Sequence, residues 1–317
     1  MKSFILKILL LFTIVVIIDT SLGTLFDSIT SSSDISEFGR DNHICNTGRE
    51  DILVFGSSRA VHHYDSNMLT DSLGLSCYNC GEDGQGIILN YSRLLMFKQH
   101  HTPKIVIYDI EPQYDIYSCD NQRFLKWLKT HGNRPKVKEI ISSVDNTEQY
   151  KLLSKMYQYN SELISLAIAI KHFREPDTLA GFSPRQGVID SYTKSVYKQH
   201  SNKTIDSLKI GYMKDFILSL KDSRLFFIIS PLWNGGDNEW YLPVYQLCQE
   251  YDVELIDFSN NPKYVHQNKY FLDATHLNDI GANEFTKDLI KIIKKKMTDS
   301  AISNMQKKSH VYASSTQ

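Results

Sequence analysis

The chain has 317 residues, 42% of them hydrophobic and 22% charged, which describes a folded globular protein and excludes a disordered one. A formal net charge of −1 supplies no global basic field, so nucleic acid is excluded as a partner on charge grounds. Five cysteines, an odd set, cannot all pair within one chain.

Residues 1–23 place Lys2 and Lys7 ahead of an apolar run that reaches Ile18. This pattern is a signal anchor or a signal peptide. With Phe4 to Leu6 included and Lys7 snorkelling, the run approaches bilayer length, which favours an uncleaved anchor with its positive end inside and the body outside. Ser21-Leu22-Gly23 offers only a weak cleavage site. Residues 24–48 are rich in Ser, Asp, Asn and Gly and are expected to be a tether.

Short apolar runs of strand length follow at 51–55, 75–78, 104–110, 224–230 and 253–258. Several are continuous and rich in β-branched residues, as in parallel strands buried on both faces. Helical patterns separate them at Gly86 to Gln99, Trp240 to Tyr251 and Ile280 to Met297. The alternation predicts an α/β fold over 49–299. Its core is a doubly wound, flavodoxin-like parallel five-stranded sheet flanked by helices, with ligands at the carboxyl ends of the strands. Residues 118–200 break the rhythm and are expected to be a mostly helical insertion over one end of the sheet. The polar tail 300–317 is expected to be disordered.

Cys77 and Cys80 form a C-x-x-C pair without a second pair or a histidine pair, so no metal site is expected. The cysteines read as core or loop residues, with a Cys45 disulfide open in an oxidising compartment. Adjacent histidines, His62-His63 and His100-His101, point apart and read as solvated or core residues. An Asp65–Arg59 pair would be a local salt bridge of little energy.

Three segments carry chemistry. Gly56-Ser57-Ser58 ends the first strand and opens a helix, where amide N–H groups can face a developing negative charge. Asp273-Ala-Thr-His276 offers a base and its orienting carboxylate just before the last helix. Asn79-Cys-Gly81-Glu-Asp-Gly84-Gln-Gly86 follows the second strand, and its glycines let the backbone approach a ligand. Taken singly, each is also an ordinary turn. The glycine spacing lacks the order of a phosphate loop. Trp233 and Asn234 follow the fourth strand, placed either to stack on a sugar or to pack beneath the insertion.

Together these segments resemble the SGNH/GDSL hydrolase superfamily, over roughly 50–115 and 224–296. The resemblance implies Ser58 as nucleophile, Asp273 and His276 as its partners, and Ser58 and Gly84 as oxyanion donors. It needs no cofactor. The third block departs from the family, reading Asp109-Ile-Glu111-Pro-Gln113 where an Asn is usual. Gln113 is nearest that position and keeps an amide donor. Glu111 is open to a substrate or a structural role. The departure resembles membrane-anchored branches that include proteins of lipoteichoic-acid D-alanylation and alginate acetylation. The resemblance and the anchor together imply an extracytoplasmic serine esterase acting on an acylated cell-surface glycan or another ester. An acyltransferase and a non-catalytic accessory protein stay open, as does the oligomeric state.

Overall fold

The computed structural model describes residues 1–32, 37–160, 162–171, 177–190 and 203–314. Five strands form one sheet: β1 (Ile52–Gly56), β2 (Cys77–Asn79), β3 (Ile105–Asp109), β4 (Arg224–Ile229) and β5 (Glu254–Asp257). All neighbours pair in parallel, in the order β2-β1-β3-β4-β5. The expected α/β doubly wound sheet is therefore present. Its order reverses between β1 and β3, the switch point at whose carboxyl ends doubly wound sheets place their ligands.

Alternation along each strand sends side chains to two opposite layers. Leu53, Phe55, Val106, Tyr108, Phe227 and Ile229 face one layer, built on α5 (Ile87–Phe97), on Ser207–Ser219 and on Asn238–Tyr251. Ile52, Val54, Ile107, Phe226 and Ile228 face the other, closed by the long helix Asp279–Ser314. Phe285 of that helix is fully buried, with Tyr64 and Phe258 meeting its ring edge-on at 5.1 and 5.0 Å. Burying such a ring contributes about 1.5–3 kcal/mol, enough to hold the helix on the sheet.

Two expectations at the ends of the chain are corrected. Residues 24–48 are not a tether. Helix α1 runs unbroken from Lys2 to Thr30, α2 covers Glu37–Asn42, and a π-helical turn covers His43–Thr47. Phe38, Ile44 and Cys45 are buried in the core, so apolar burial overrides a loop-like composition. At the other end, the helix expected to stop near Met297 continues to Ser314, in keeping with a stretch free of Gly and Pro. The insertion is helical as expected. It contains a 3-10 stretch (Asn121–His131), helices Pro135–Val144, Glu148–Lys151 and Leu163–Lys171, and a short 3-10 turn at Met156–Tyr159. Part of it, 172–176 and 191–200, lies outside the described residues.

All five cysteines are free thiols. Cys45 forms no disulfide; its Sγ rests 3.7 Å from Asp41 in the core.

Candidate active site

Strand β1 ends on Gly56, whose φ of +144° turns the chain sharply out of the sheet. Ser57 is the N-cap of α3 (Ser58–His63), which leaves Ser58 half-buried at the carboxyl edge. Ser58 Oγ lies 2.7 Å from His276 Nε2. His276 Nδ1 lies 2.8 Å from Asp273 Oδ2 and 3.0 Å from Oδ1. That carboxylate requires the hydrogen on Nδ1, so Nε2 is the nitrogen left to accept from Ser58. Residues 218 positions apart thus meet in one hydrogen-bonded line.

The turn carrying Asp273 and His276 is self-organised. Asp273 Oδ1 accepts from the amides of Thr275 and His276 at 2.8 and 2.9 Å and from Thr275 Oγ1 at 3.0 Å. Burial would raise this carboxyl. The His276 hydrogen bond and charge, with the two amides, outweigh it and hold the group at about 2. From outside the turn, the Leu277 amide donates to His63 Nε2 at 2.9 Å, and His63 Nδ1 faces Ser230 Oγ at 3.1 Å. Burial, with the nearby His276, pushes His63 well below its ordinary value, so it stays a neutral acceptor. His63 therefore positions the turn. Trp233 braces it too, its amide donating to Ala274 O at 3.0 Å.

The glycine loop closes another side. Glu82 N donates to Gly56 O and Cys80 N to Val54 O, which locks the loop against the end of β1 beside Ser58. Asn79 acts inside the loop, donating to Ala60 O and Tyr64 O and accepting from Gly81 N. Gly81 has no room for a side chain, since a Cβ would lie 2.8 Å from Val61 N. Gly84 has a φ of +67°. The amides of Ser58 and Gly84 donate to no protein acceptor among the described residues.

Two buried arginines hold this framework. Arg93 reaches Asp41 at 3.0 Å, Glu82 at 3.0 Å and Cys80 O at 3.2 Å. Arg59 lies 3.1 Å from Asp109 and 3.3 Å from Glu111, behind the nucleophile and at the ends of β1 and β3. Asp65 does not meet Arg59; it caps α4 (Ser66–Leu73) by accepting from Met68 N at 3.0 Å. Asp41, Cys45 and His131 converge closely enough to suggest a metal. Asp41 is instead occupied by Arg93 and by His131 at 2.5 Å, and a guanidinium beside a cation site is repulsive.

Segment 177–190, within the insertion, forms a strap across the ends of the glycine loop, α3 and the turn before the last helix. Asn79 N donates to Ala180 O, Ser183 N to Val61 O, Asp279 N to Arg185 O and Ile189 N to Phe271 O. Exposed Arg185 sits 3.0 Å from His62 Nε2 and 3.2 Å from exposed Asp83. The rings of His62 and His276 are 6.0 Å apart. A second arginine, Arg123, crosses above Gly84, where an added Cβ would meet its guanidinium at 2.9 Å.

The structure thus brings Ser58, His276 and Asp273 together and places Gly84 in the adjoining loop. Gln113 is half-buried in α6 (Pro112–Asp115), and its carbonyl accepts from Lys209 Nζ at 3.2 Å. Glu111 is an ion-pair partner of Arg59. The Trp233 indole donates to Asn268 at 2.9 Å and its ring meets His266 edge-on, while Asn234 is exposed beside it. The residues not anticipated from sequence are Arg40, Arg93, His63, Arg123 and Arg185. Each acts through partners remote in the chain, which leaves no local motif.

No family model and no curated protein matches the chain. Solved structures similar to it include one described as a lipolytic protein of the G-D-S-L family from Desulfitobacterium hafniense DCB-2 (9% identity, 76% of this chain and 98% of that chain, TM-score 0.36). Another is described as an acylhydrolase from Bacteroides fragilis NCTC 9343 (8% identity, 80% and 94%, TM-score 0.38). A third is an acetyl xylan esterase from the rumen bacterium Butyrivibrio proteoclasticus (9% identity, 78% and 64%, TM-score 0.36). At these identities and TM-scores the likeness carries no argument. The functional weight rests on the line from Ser58 through His276 to Asp273.

Proposed function

We propose that the chain is a serine esterase of the SGNH type, held in a membrane by α1 and acting on ester-linked acyl groups of a cell-surface glycan, O-acetyl above all. The observation that carries the reading is the Ser58–His276–Asp273 line at hydrogen-bond distances. A hydroxyl is a poor nucleophile until a base takes its proton, and the base works when a carboxylate fixes its tautomer. His276 Nε2 takes the Ser58 proton as Oγ attacks the ester carbonyl. The resulting imidazolium is stabilised by Asp273. The amides of Ser58 and Gly84 receive the oxyanion. His276 then returns its proton to the departing alcohol, and water activated by the same base frees the acid from Ser58.

The glycan assignment draws support from the resemblance in the sequence blocks and from an apolar helix of spanning length next to the domain. With p-nitrophenyl acetate as probe, Ser58→Ala is expected to lower kcat/KM by at least about a thousandfold. A fluorophosphonate should label the wild type and not this variant. A Ser58→Ala protein that hydrolyses the ester at the wild-type rate would falsify the nucleophile assignment. A folded wild type that takes up no probe identifies a non-catalytic binding protein instead.

A further inference from the structure

Helix α1 divides into two parts. Its 29 residues include an 18-residue window of mean hydropathy 2.4 with no residue buried in the fold. The last third is different, because it is docked. Asp19 accepts from Ser154 Oγ at 2.5 Å and from the amides of Lys155 and Met156 at 2.9 and 3.2 Å. Gly23 lies against Lys155 so closely that a Cβ would meet its backbone at 3.2 Å. Asp27 receives Tyr159 OH at 2.5 Å, and Phe26 meets the Tyr159 ring edge-on at 5.4 Å. Asp19, Gly23, Phe26 and Thr30 form one stripe at helical spacing, turned toward the insertion. On the flank beside that stripe Ile18, Leu22 and Leu25 remain exposed and apolar.

A helix rises about 1.5 Å per residue, so a hydrocarbon core of about 30 Å takes about 20 residues. Counted from Phe4, that reaches Gly23. The elements beside Asp19 and Gly23 therefore stand at the level where the hydrocarbon ends. Their outer surface is rich in apolar side chains, with Lys151 and Asn160 exposed among them. Outside α1, twelve large apolar side chains are exposed among the described residues. Six of them fall within 150–170: Tyr150, Leu153, Met156, Ile164, Ile168 and Ile170. Helix Leu163–Lys171 buries Ser165, Leu166 and Ala169, with Ser165 Oγ donating to Glu37 at 2.9 Å. Its outward face carries Ile164, Ala167 and Ile168, closed by Lys171. A water-facing helix shows polar residues on that side; this one shows Ile164, Ala167 and Ile168 there, while its one hydroxyl, Ser165, is turned inward. Leu153 is 83% exposed and Ile164 78% exposed, too far out to be the edge of a core.

We propose that segment 150–170 is a membrane-seated face, lying in the interfacial layer of the leaflet from which α1 emerges. The proposal rests on α1 spanning the bilayer. The partner is the lipid surface itself, because α1 already delivers this face to it and itself carries exposed Ile18, Leu22 and Leu25 at the same end. Partial burial of these side chains at the headgroup boundary, with Lys171 at headgroup level, has the chemistry of an interfacial amphipathic helix.

The test uses the full chain with Cys119→Ser, the other four cysteines being buried. Single variants Leu153→Cys, Ile164→Cys, Ile14→Cys and Leu242→Cys each receive an environment-sensitive fluorophore in vesicles containing nitroxide lipids. Retained ester hydrolysis shows that each variant is folded. Leu242, on the helix beside β5, is the exposed apolar control. The expected result is a blue shift with quenching at Leu153→Cys and Ile164→Cys, strongest with shallow nitroxides. Deep nitroxides should quench Ile14→Cys, and Leu242→Cys should stay unquenched. Quenching at Ile14→Cys alone overturns the proposal and leaves the anchor standing. No quenching at Ile14→Cys overturns the anchor and the proposal with it. A blue shift at Ile164→Cys without lipid quenching assigns the face to a protein partner and also overturns the proposal.

Discussion

Gly56 has little freedom beside the nucleophile. Its φ of +144° suits only glycine, and a Cβ there would lie 2.7 Å from Asp109 O and 2.9 Å from Ala60 Cβ. Gly56→Ala is expected to destabilise the fold by about 2–4 kcal/mol, read from urea denaturation. A second residue-level effect is in pH. Burial pushes the Asp115 carboxyl up to about 7, against hydrogen bonds from Tyr108 and the Glu111 amide. The native state then holds a proton that the unfolded chain releases near 3.8. Stability is fully present below that pH and is lost as pH rises through about 7. Asp115→Asn should remove this slope from melting temperatures measured across the range. At this scale the meeting of Ser58, Asp273 and His276 was legible because Gly-Ser-Ser and Asp-x-x-His are short and lie at strand and helix ends. Gln113 and Trp233 were not: their roles depend on where side chains turn, and neighbours such as Lys209 and Asn268 lie far along the chain.

Strands were the most legible elements, since continuous apolar runs of about five residues between polar turns leave few alternatives. Residues 24–48 were the least legible. Their helices are held by partners that local composition does not reveal: Asp41 answers a buried Arg93 52 positions away. That region also reaches the site. Arg40 of α2 donates to Gly81 O at 2.9 Å and to Gly181 O at 3.0 Å, tying the glycine loop to the strap. Arg40→Met keeps the bulk and removes both bonds. It is expected to lower kcat about tenfold or more with the fold intact, because a small displacement of an oxyanion donor is costly. Equal kcat in the variant and the wild type would show that Gly81 and its neighbours hold their place without it.

For the molecule as a whole, the insertion was legible as an interruption in the strand–helix rhythm. Its outward face was not, because helix Leu163–Lys171 carries only Ser165 and Lys171 among apolar residues and periodicity cannot say which side is covered. Truncation separates the two parts of α1. Removing residues 1–18 should leave melting unchanged, whereas removal through Thr30 strips the insertion of Asp19, Gly23 and Asp27 and should lower Tm by about 4 °C or more. The docking of Asp19 against Ser154 and Lys155 has a further consequence. On the proposed function, with α1 in the bilayer, a catalytic body joined to its helix without a leash would drift sideways and spin but keep one altitude. Its reach would be a thin stratum parallel to the bilayer, and an acylated polymer would be trimmed only where it passes through that plane. The pattern of modification along a surface chain would then record how the polymer moves, with the enzyme as the fixed blade.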